Sequence, residues 1–286
     1  MTAKVLSGRA IAGQVREELR ALAADYVARN GRPAGLAVVA IGAQPAADVY
    51  ARTLLTAAER VGVRGELVAL PEDIDAAGLR AGLEALNADD NVQGVLVQAP
   101  LPPHLSPQVV AETLSPRKDI DGISMRSAGN LFLRYPTFVP ATCAAVVELL
   151  DRYQIPLAGQ RVTVVGASNT VGKPLALMLL GRDATVTVCH IYTRDVKQWT
   201  LQSDIVIVAA GRINLLRADM VRPGATVIDV GINVTPDGAI VGDVAYAEVA
   251  EVAGAITPAP GGVGPLTPLM AIQQLLRAET LWTRES

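Results

Sequence analysis

The amino-acid sequence predicts a two-domain α/β protein with mainly parallel strands, on three observations. Short runs of Val, Ile, Leu and Ala recur along the 286 residues, as in the buried strands of parallel sheets. Stretches with apolar residues at helical spacing separate these runs. One run, Val162–Val165, leads through a turn with two glycines into a helical pattern, an arrangement typical of nucleotide-binding sheets.

In the N-terminal half, helical and strand patterns alternate. Arg9–Ala28 has apolar residues every three or four positions, which predicts a helix with one buried face. The uncharged run Gly35–Ile41 predicts a buried strand. The same reasoning predicts further helices at Asp48–Val61 and Ile74–Leu86, and further strands at Gly65–Leu70 and Gly94–Gln98.

In the C-terminal half, a predicted helix runs from Pro140 to Tyr153, and another follows Gly172. The strands after Val162–Val165 end in polar or glycine-containing loops, as at the carboxyl edge of a ligand-binding sheet. A last helix, Thr267–Thr283, is expected to pack back on the N-terminal half. The predicted domains are therefore 1–140 with 267–286, and 141–266. The strands predicted after Val162–Val165 are Ala184–Cys189, Asp204–Ala209 and Ala225–Val230.

Composition argues against nucleic-acid binding, membrane association and metal binding. The net charge of −3 offers no electrostatic basis for binding nucleic acid or an anionic membrane surface, and no apolar run is long enough to span a bilayer. The two cysteines and two histidines show no metal-ligand spacing, so no metal site is predicted. We therefore expect a cytoplasmic protein that acts on a small molecule.

The turn after Val165 reads G-A-S-N-T-V-G from Gly166 to Gly172. It is not a P-loop, because five residues separate its glycines where a P-loop has four. Ser168 occupies the place of the second glycine in the dinucleotide fingerprint. Taken alone, the turn fits either a phosphate site at a helix N-terminus or an ordinary turn without a ligand.

Further motifs identify a family. Together with the Gly166 turn, these motifs resemble the bifunctional methylenetetrahydrofolate dehydrogenase/cyclohydrolase family. They follow the family's order along the chain, from Leu6 to the last helix. The motifs are Tyr50 on its helix, Gly94–Pro102, Lys118–Gly122, Asp229–Asn233 and Pro258–Thr267.

The resemblance implies a folate domain facing a Rossmann-like NAD(P)-binding domain across a cleft, in a homodimer. Family members transfer a hydride from 5,10-methylenetetrahydrofolate to the nicotinamide. They then add water to the methenyl product and open it to 10-formyltetrahydrofolate.

The resemblance also implies residue roles. Tyr50 packs on the folate, Gln98 lies beside the catalytic lysine, and Asp121 binds the pterin. Without the family, Tyr50 would fit a plain helix-surface aromatic residue and Asp121 a turn residue before Gly122. Gly262 and Val263 match the loop that closes over the substrate. The implied dinucleotide-binding residues are Gly166, Ala167, Ser168, Val171, Gly172, Ile191, Ile232 and Thr142.

One departure concerns the catalytic lysine, which the family has four residues after the tyrosine. Leu54 occupies that position, and a leucine can neither move a proton nor carry charge. Arg52 does not replace it, because an offset of two residues points to the other side of the helix. We expect hydride transfer to persist, and cyclohydrolase activity to be weak or lost, since removing a general acid–base group typically costs about 10²–10⁴-fold.

Other departures leave alternatives open. The family pattern is not kept at four positions, which are Ala141, Cys143, Ser124 and Met125. Either a shifted substrate or drift after loss of the lysine explains these changes. A related one-carbon or pterin-like substrate and a non-catalytic binding protein therefore remain as alternatives.

The dinucleotide preference is a further open question. Ala167 and Ile191 are apolar where many relatives contact the 2′-phosphate of NADP, and no acid for the ribose of NAD appears before Asp195. Arg194 is a possible contact for the 2′-phosphate of NADP. We favour NAD, or the use of both NAD and NADP, as the dinucleotide.

Overall fold

The structure, a computed structural model, describes residues 2–43 and 45–282. The chain folds as two units. The N-terminal unit comprises Gly13–Ala141 and the residues from Pro268 on, and the C-terminal unit comprises the residues up to Ala12 and Thr142–Thr267. The predicted helix end at Thr283 and the outermost domain limits lie outside the described residues.

The helices and strands are as follows. The helices are α1 (Gly8–Asn30), α2 (Pro45–Val61), α3 (Ala76–Ala88), α4 (Pro107–Thr113), α5 (Met125–Leu133), α6 (Ala141–Arg152), α7 (Gly172–Leu180), α8 (Val196–Thr200), α9 (Tyr246–Val249) and α10 (Thr267–Trp282). The strands are β1 (Lys4–Val5), β2 (Gly35–Ile41), β3 (Arg64–Leu70), β4 (Gly94–Val97), β5 (Arg161–Val165), β6 (Thr185–Cys189), β7 (Ile205–Val208), β8 (Thr226–Asp229), β9 (Asn233–Val234), β10 (Ile240–Val241) and β11 (Ala255–Ile256).

The N-terminal unit has a parallel sheet in the order β3-β2-β4. The central strand β2 is buried at every position, as its uncharged sequence predicts. Helix α10 is fastened to this unit by Gln274, whose side-chain amide donates to the carbonyls of Ile120 and Val139 and accepts from the N–H of Val139. The end of the chain thereby holds the segment that leads from Asp121 to α6.

The C-terminal unit has a six-stranded parallel sheet in the order β1-β11-β8-β7-β5-β6. The predicted α/β class with a Rossmann-like parallel sheet is confirmed. The sequence pattern placed the first residues with 13–140, but Lys4–Val5 pairs with Ala255–Ile256, and this pairing puts them in the C-terminal unit. A two-residue strand has no periodicity by which to detect it.

Two further differences have local causes. Helix α2 begins at Pro45, ahead of the predicted Asp48, because proline is well suited to the first helical turn. Helices α4 and α5 were not predicted, since each is short and owes its start to a serine cap, Ser106 or Ser124. Among the described helices, none is long and apolar enough to cross a membrane.

Candidate functional site

Tyr50 and Leu54 lie one turn apart on α2, on the same side of the helix. Tyr50 is partly buried, and its pKa is raised by burial and, to a lesser degree, by the charge of Asp121, so the phenol stays neutral. Leu54 is fully buried at 0% exposure. Arg52 is exposed, as its offset of two residues requires.

Gln98 follows β4 and is held beside the first turn of α2. Its backbone N–H donates to the carbonyl of Val39 over 2.9 Å, and its side-chain Nε2 donates to the carbonyl of Ala47. Its Oε1 is buried and accepts no hydrogen bond from any described residue. An unpaired buried amide oxygen is destabilising by about 1–3 kcal/mol, so this atom suits a donor on a ligand.

Asp121 carries the most perturbed carboxyl of the N-terminal unit. Burial raises its pKa to about 7, the charge of Asp119 adds to the rise, and a 2.8 Å hydrogen bond from the N–H of Ala141 opposes it. Near neutral pH the side chain is therefore divided between carboxylate and carboxylic acid. A ligand with N–H donors would favour the carboxylate.

Asp119 shapes the turn that presents Asp121, a role that the sequence analysis did not assign. It is fully buried, and its carboxylate accepts hydrogen bonds from the N–H groups of Ile123 and Ser124 at 3.0 and 2.8 Å. Gly122 has φ +62°, and a Cβ there would lie 2.7 Å from the carbonyl oxygen of Phe138. The only sequence signal for Asp119 is its place in the quoted K-D-I-D-G motif.

The altered residues after Gly122 have structural roles. Ser124 caps α5, its Oγ accepting from the N–H of Ser127 over 3.2 Å. Met125 is the first residue of that helix and is half exposed. Cys143, on α6, lies with its Sγ 3.3 Å from the carbonyl oxygen of Val171 and so binds α6 to the Gly166 turn.

All four lysines of the chain have a partner in the structure. Lys118 donates to the carbonyls of Leu86 and Asp89 at 2.9 and 2.7 Å. The other three lysines of the chain are also engaged locally. Lys4 lies over the ring of Tyr153, Lys173 donates to Asn169, and Lys197 pairs with Asp219.

The Gly166–Gly172 turn in the C-terminal unit cannot form without its two glycines. Gly166 has φ +127°, and a Cβ there would lie 2.1 Å from the carbonyl oxygen of Ala209. A Cβ on Gly172 would lie 2.0 Å from the carbonyl oxygen of Gly166. Ser168 Oγ accepts from the N–H of Val171 at 3.1 Å and of Gly172 at 3.4 Å, which stabilises the start of α7.

The turn leaves donors available for a ligand. The backbone N–H groups of residues 167–170 make no hydrogen bond to any described protein atom. They precede the N-terminus of α7, where the helix dipole favours a negative charge. These residues fit the pyrophosphate of a dinucleotide.

The loop after β6 offers no carboxylate to a ribose. Ile191 is 87% exposed, and Tyr192 beside it is also exposed. Asp195 is occupied as the cap of α8, where it accepts from the N–H of Gln198. Arg194 is exposed and is the cation nearest in sequence to Ile191.

The remaining predicted contacts also lie in the C-terminal unit. A Cβ on Gly8 would lie 1.9 Å from the carbonyl oxygen of Gly262, so the start of α1 packs directly on this loop. Val263, in the same loop, is buried at 4% exposure. Ile232 is largely exposed, and Thr142, in the first turn of α6, is partly buried.

Two family profiles match the chain. The profile described as tetrahydrofolate dehydrogenase/cyclohydrolase, catalytic domain, matches residues 6–121, and the NAD(P)-binding domain of the same family matches residues 140–282. The bifunctional protein FolD of Cupriavidus necator is 46% identical over 97% of this chain and 98% of its own length.

Solved structures agree with these matches. The bifunctional FolD of Campylobacter jejuni has a TM-score of 0.94 and 41% identity, covering 97% of this chain and 99% of its own. A Trypanosoma brucei methylenetetrahydrofolate dehydrogenase-cyclohydrolase in complex with NADP and an inhibitor has a TM-score of 0.92 and 34% identity, covering 100% of this chain and 99% of its own.

Proposed function

Since the chain belongs to the tetrahydrofolate dehydrogenase/cyclohydrolase family, we propose that it oxidises 5,10-methylenetetrahydrofolate to the methenyl compound with NAD(P)⁺, and has little or no cyclohydrolase activity. The observation that carries this proposal is Leu54, fully buried one helical turn from Tyr50, in a chain whose four lysines are all engaged elsewhere.

The residues needed for hydride transfer are present. In the proposal, Tyr50 packs on the flat pterin, the Asp121 carboxylate accepts from its N–H groups, and Gln98 Oε1 accepts a further ligand hydrogen bond. The Gly166–Gly172 turn holds the dinucleotide, with the other predicted contacts around it. When bound, the dinucleotide supplies the hydride acceptor, and the protein contributes positioning and exclusion of water.

Unlike hydride transfer, the addition of water to the methenyl compound needs a group that can accept and donate a proton. The incoming water must lose a proton, and the ring nitrogen that leaves must be polarised. Leu54 offers no proton acceptor, and Asp121 is engaged with the pterin in this arrangement. The methenyl product is therefore expected to leave the enzyme before it is hydrolysed.

For the dinucleotide, we propose NAD or dual use. Ile191 and Ala167 offer no charge to a 2′-phosphate, and Asp195 is committed to capping α8, so neither the usual NADP partner nor the usual NAD partner is present. Exposed Arg194 is the remaining candidate for a 2′-phosphate. The proposal also includes a cytoplasmic location and a homodimer; light scattering on the purified protein tests the homodimer.

A related one-carbon or pterin-like substrate is the second candidate function. Met125 favours it, because this residue departs from the family pattern, lies close after the Asp121 turn and is half exposed. A non-catalytic binding protein is the third candidate.

The experiment follows the two reactions separately. Purified protein is mixed with 5,10-methylenetetrahydrofolate and NAD⁺ or NADP⁺, and the reduced dinucleotide, the methenyl compound and 10-formyltetrahydrofolate are measured. Reduced dinucleotide and methenyl compound should appear in equal amounts, with 10-formyltetrahydrofolate forming only at the uncatalysed rate. Enzymatic hydrolysis of added methenyl compound would refute the loss of cyclohydrolase activity, and absence of dinucleotide reduction would refute the dehydrogenase.

A further inference from the structure

Two buried carboxylates lie at the carboxyl edge of the C-terminal sheet, outside the contacts assigned above. Asp229 ends β8, and Asp243 follows β10. Asp243 is fully buried, and its Oδ2 accepts from the N–H groups of Ala210 at 2.6 Å and Gly211 at 2.9 Å. Its Oδ1 accepts from the N–H of Arg212 at 2.8 Å and from Asn233 Nδ2 at 2.9 Å.

This set of partners requires a carboxylate at Asp243. All four groups are donors, and three are successive backbone N–H groups, which together form an anion-binding concavity. The protein's own side chain fills this concavity. An asparagine would direct its NH₂ group at backbone donors and leave at least one of them unpaired.

Asp229 fixes the position of Asp243. Its Oδ1 accepts from the N–H groups of Asp243 and Gly231 at 3.0 and 2.9 Å, and its Oδ2 accepts from Val244 at 3.0 Å. A Cβ on Gly231 would lie 2.4 Å from the Asp243 carboxylate, and one on Gly242 would lie 1.8 Å from Asp229 Oδ2. A side chain at either glycine would therefore displace one of the two carboxylates.

The loop held by Asp243 supports the Gly166 turn. This loop follows β7, the neighbour of β5, and begins at Ala209. The N–H of Ala209 donates to the carbonyl of Val165, and a Cβ on Gly166 would clash with the carbonyl oxygen of Ala209. Asn233 fixes the other attached loop, next to Ile232. We propose that Asp243 is a positioning residue for the dinucleotide, holding the loops after β7 and β8 in place around the Gly166–Gly172 turn. This inference rests on the dinucleotide use proposed above.

The test compares the purified full-length protein with Asp243→Asn, and with Asp204→Asn as a matched control. Asp204 also accepts a backbone N–H, from Arg161 at 2.8 Å, but lies at the opposite end of β7. Binding of NADH and NADPH is measured by fluorescence titration, the KM for the folate by initial rates, and exchange of the amide hydrogens of residues 210–212 by mass spectrometry.

Asp243→Asn should weaken binding of the preferred dinucleotide roughly tenfold or more, speed amide exchange at 210–212, and leave the folate KM within about twofold. Asp204→Asn should leave dinucleotide binding unchanged. Wild-type affinity in a folded Asp243→Asn variant, or an equal loss in Asp204→Asn, would overturn the inference.

Two further outcomes are covered. If Asp243→Asn does not fold, Asn233→Ala removes one of the four hydrogen bonds, and a roughly threefold weaker dinucleotide affinity supports the inference while an unchanged one overturns it. If the wild type binds neither NADH nor NADPH, the proposed function itself fails, and this inference fails with it.

Discussion

Replacing Asp121 with asparagine should stabilise the protein, and increasingly so as the pH rises. The carboxyl has a pKa of about 7 in the folded protein, against an ordinary value of 3.8, mainly because it is buried. Between these two values the unfolded chain is ionised while the folded protein keeps the proton. The wild type therefore has its full stability below the unfolded pKa and loses part of it as the pH rises to the folded pKa.

The size of the effect follows from the shift. Each pKa unit corresponds to about 1.4 kcal/mol, so the loss approaches about 4 kcal/mol at most. Asparagine has the same shape, can accept the Ala141 N–H, and does not titrate in this range. The difference in free energy of unfolding between Asp121→Asn and wild type should therefore grow by about 2.5 kcal/mol from pH ~5 to pH ~8.

Urea unfolding of both proteins across this pH range measures the difference directly. Asp204→Asn serves as control, because its ion-paired partners lower the pKa of Asp204 and its effect should be constant from pH ~5 upward. Parallel stability profiles for wild type and Asp121→Asn would show that Asp121 has an ordinary pKa, and would refute the reasoning. A rising difference would mean that the carboxylate proposed to bind the folate is retained at the expense of stability.

Three further predictions concern Leu54 in the N-terminal unit and the dinucleotide contacts in the C-terminal unit. Leu54→Lys should restore measurable methenyl hydrolysis while lowering the melting temperature, because the new amine is buried, and Leu55→Lys on a different face should restore none. Arg194→Ala should raise the KM for NADP⁺ about threefold or more and leave that for NAD⁺ unchanged; equal effects on both would exclude Arg194 as a phosphate contact. Gly166→Ala should abolish NADH and NADPH binding in fluorescence titrations, since its Cβ meets a backbone carbonyl. Gly159→Ala shares the strain of a positive φ (+75°) but has open space around the added Cβ, so it should bind normally.

The sequence by itself determined the α/β class and most long elements, because buried strands and amphipathic helices are written in the local spacing of apolar residues. It also determined the glycine turn at Gly166 and the absence of a lysine at Leu54, since both depend only on residue identity. The roles assigned to Tyr50, Gln98 and Asp121 came from the family resemblance and stay predictions.

Tertiary structure decided what depends on residues far apart in the chain. Three interactions join segments that no local pattern connects. They are the pairing of β1 with β11, the hydrogen bonds between Gln274 and Val139, and those between Asp243 and residues 210–212. Burial acts in the same way. The raised pKa of Asp121 and the unpaired Oε1 of Gln98 arise from the surroundings that the fold provides, and those surroundings decide what the same side chains can do.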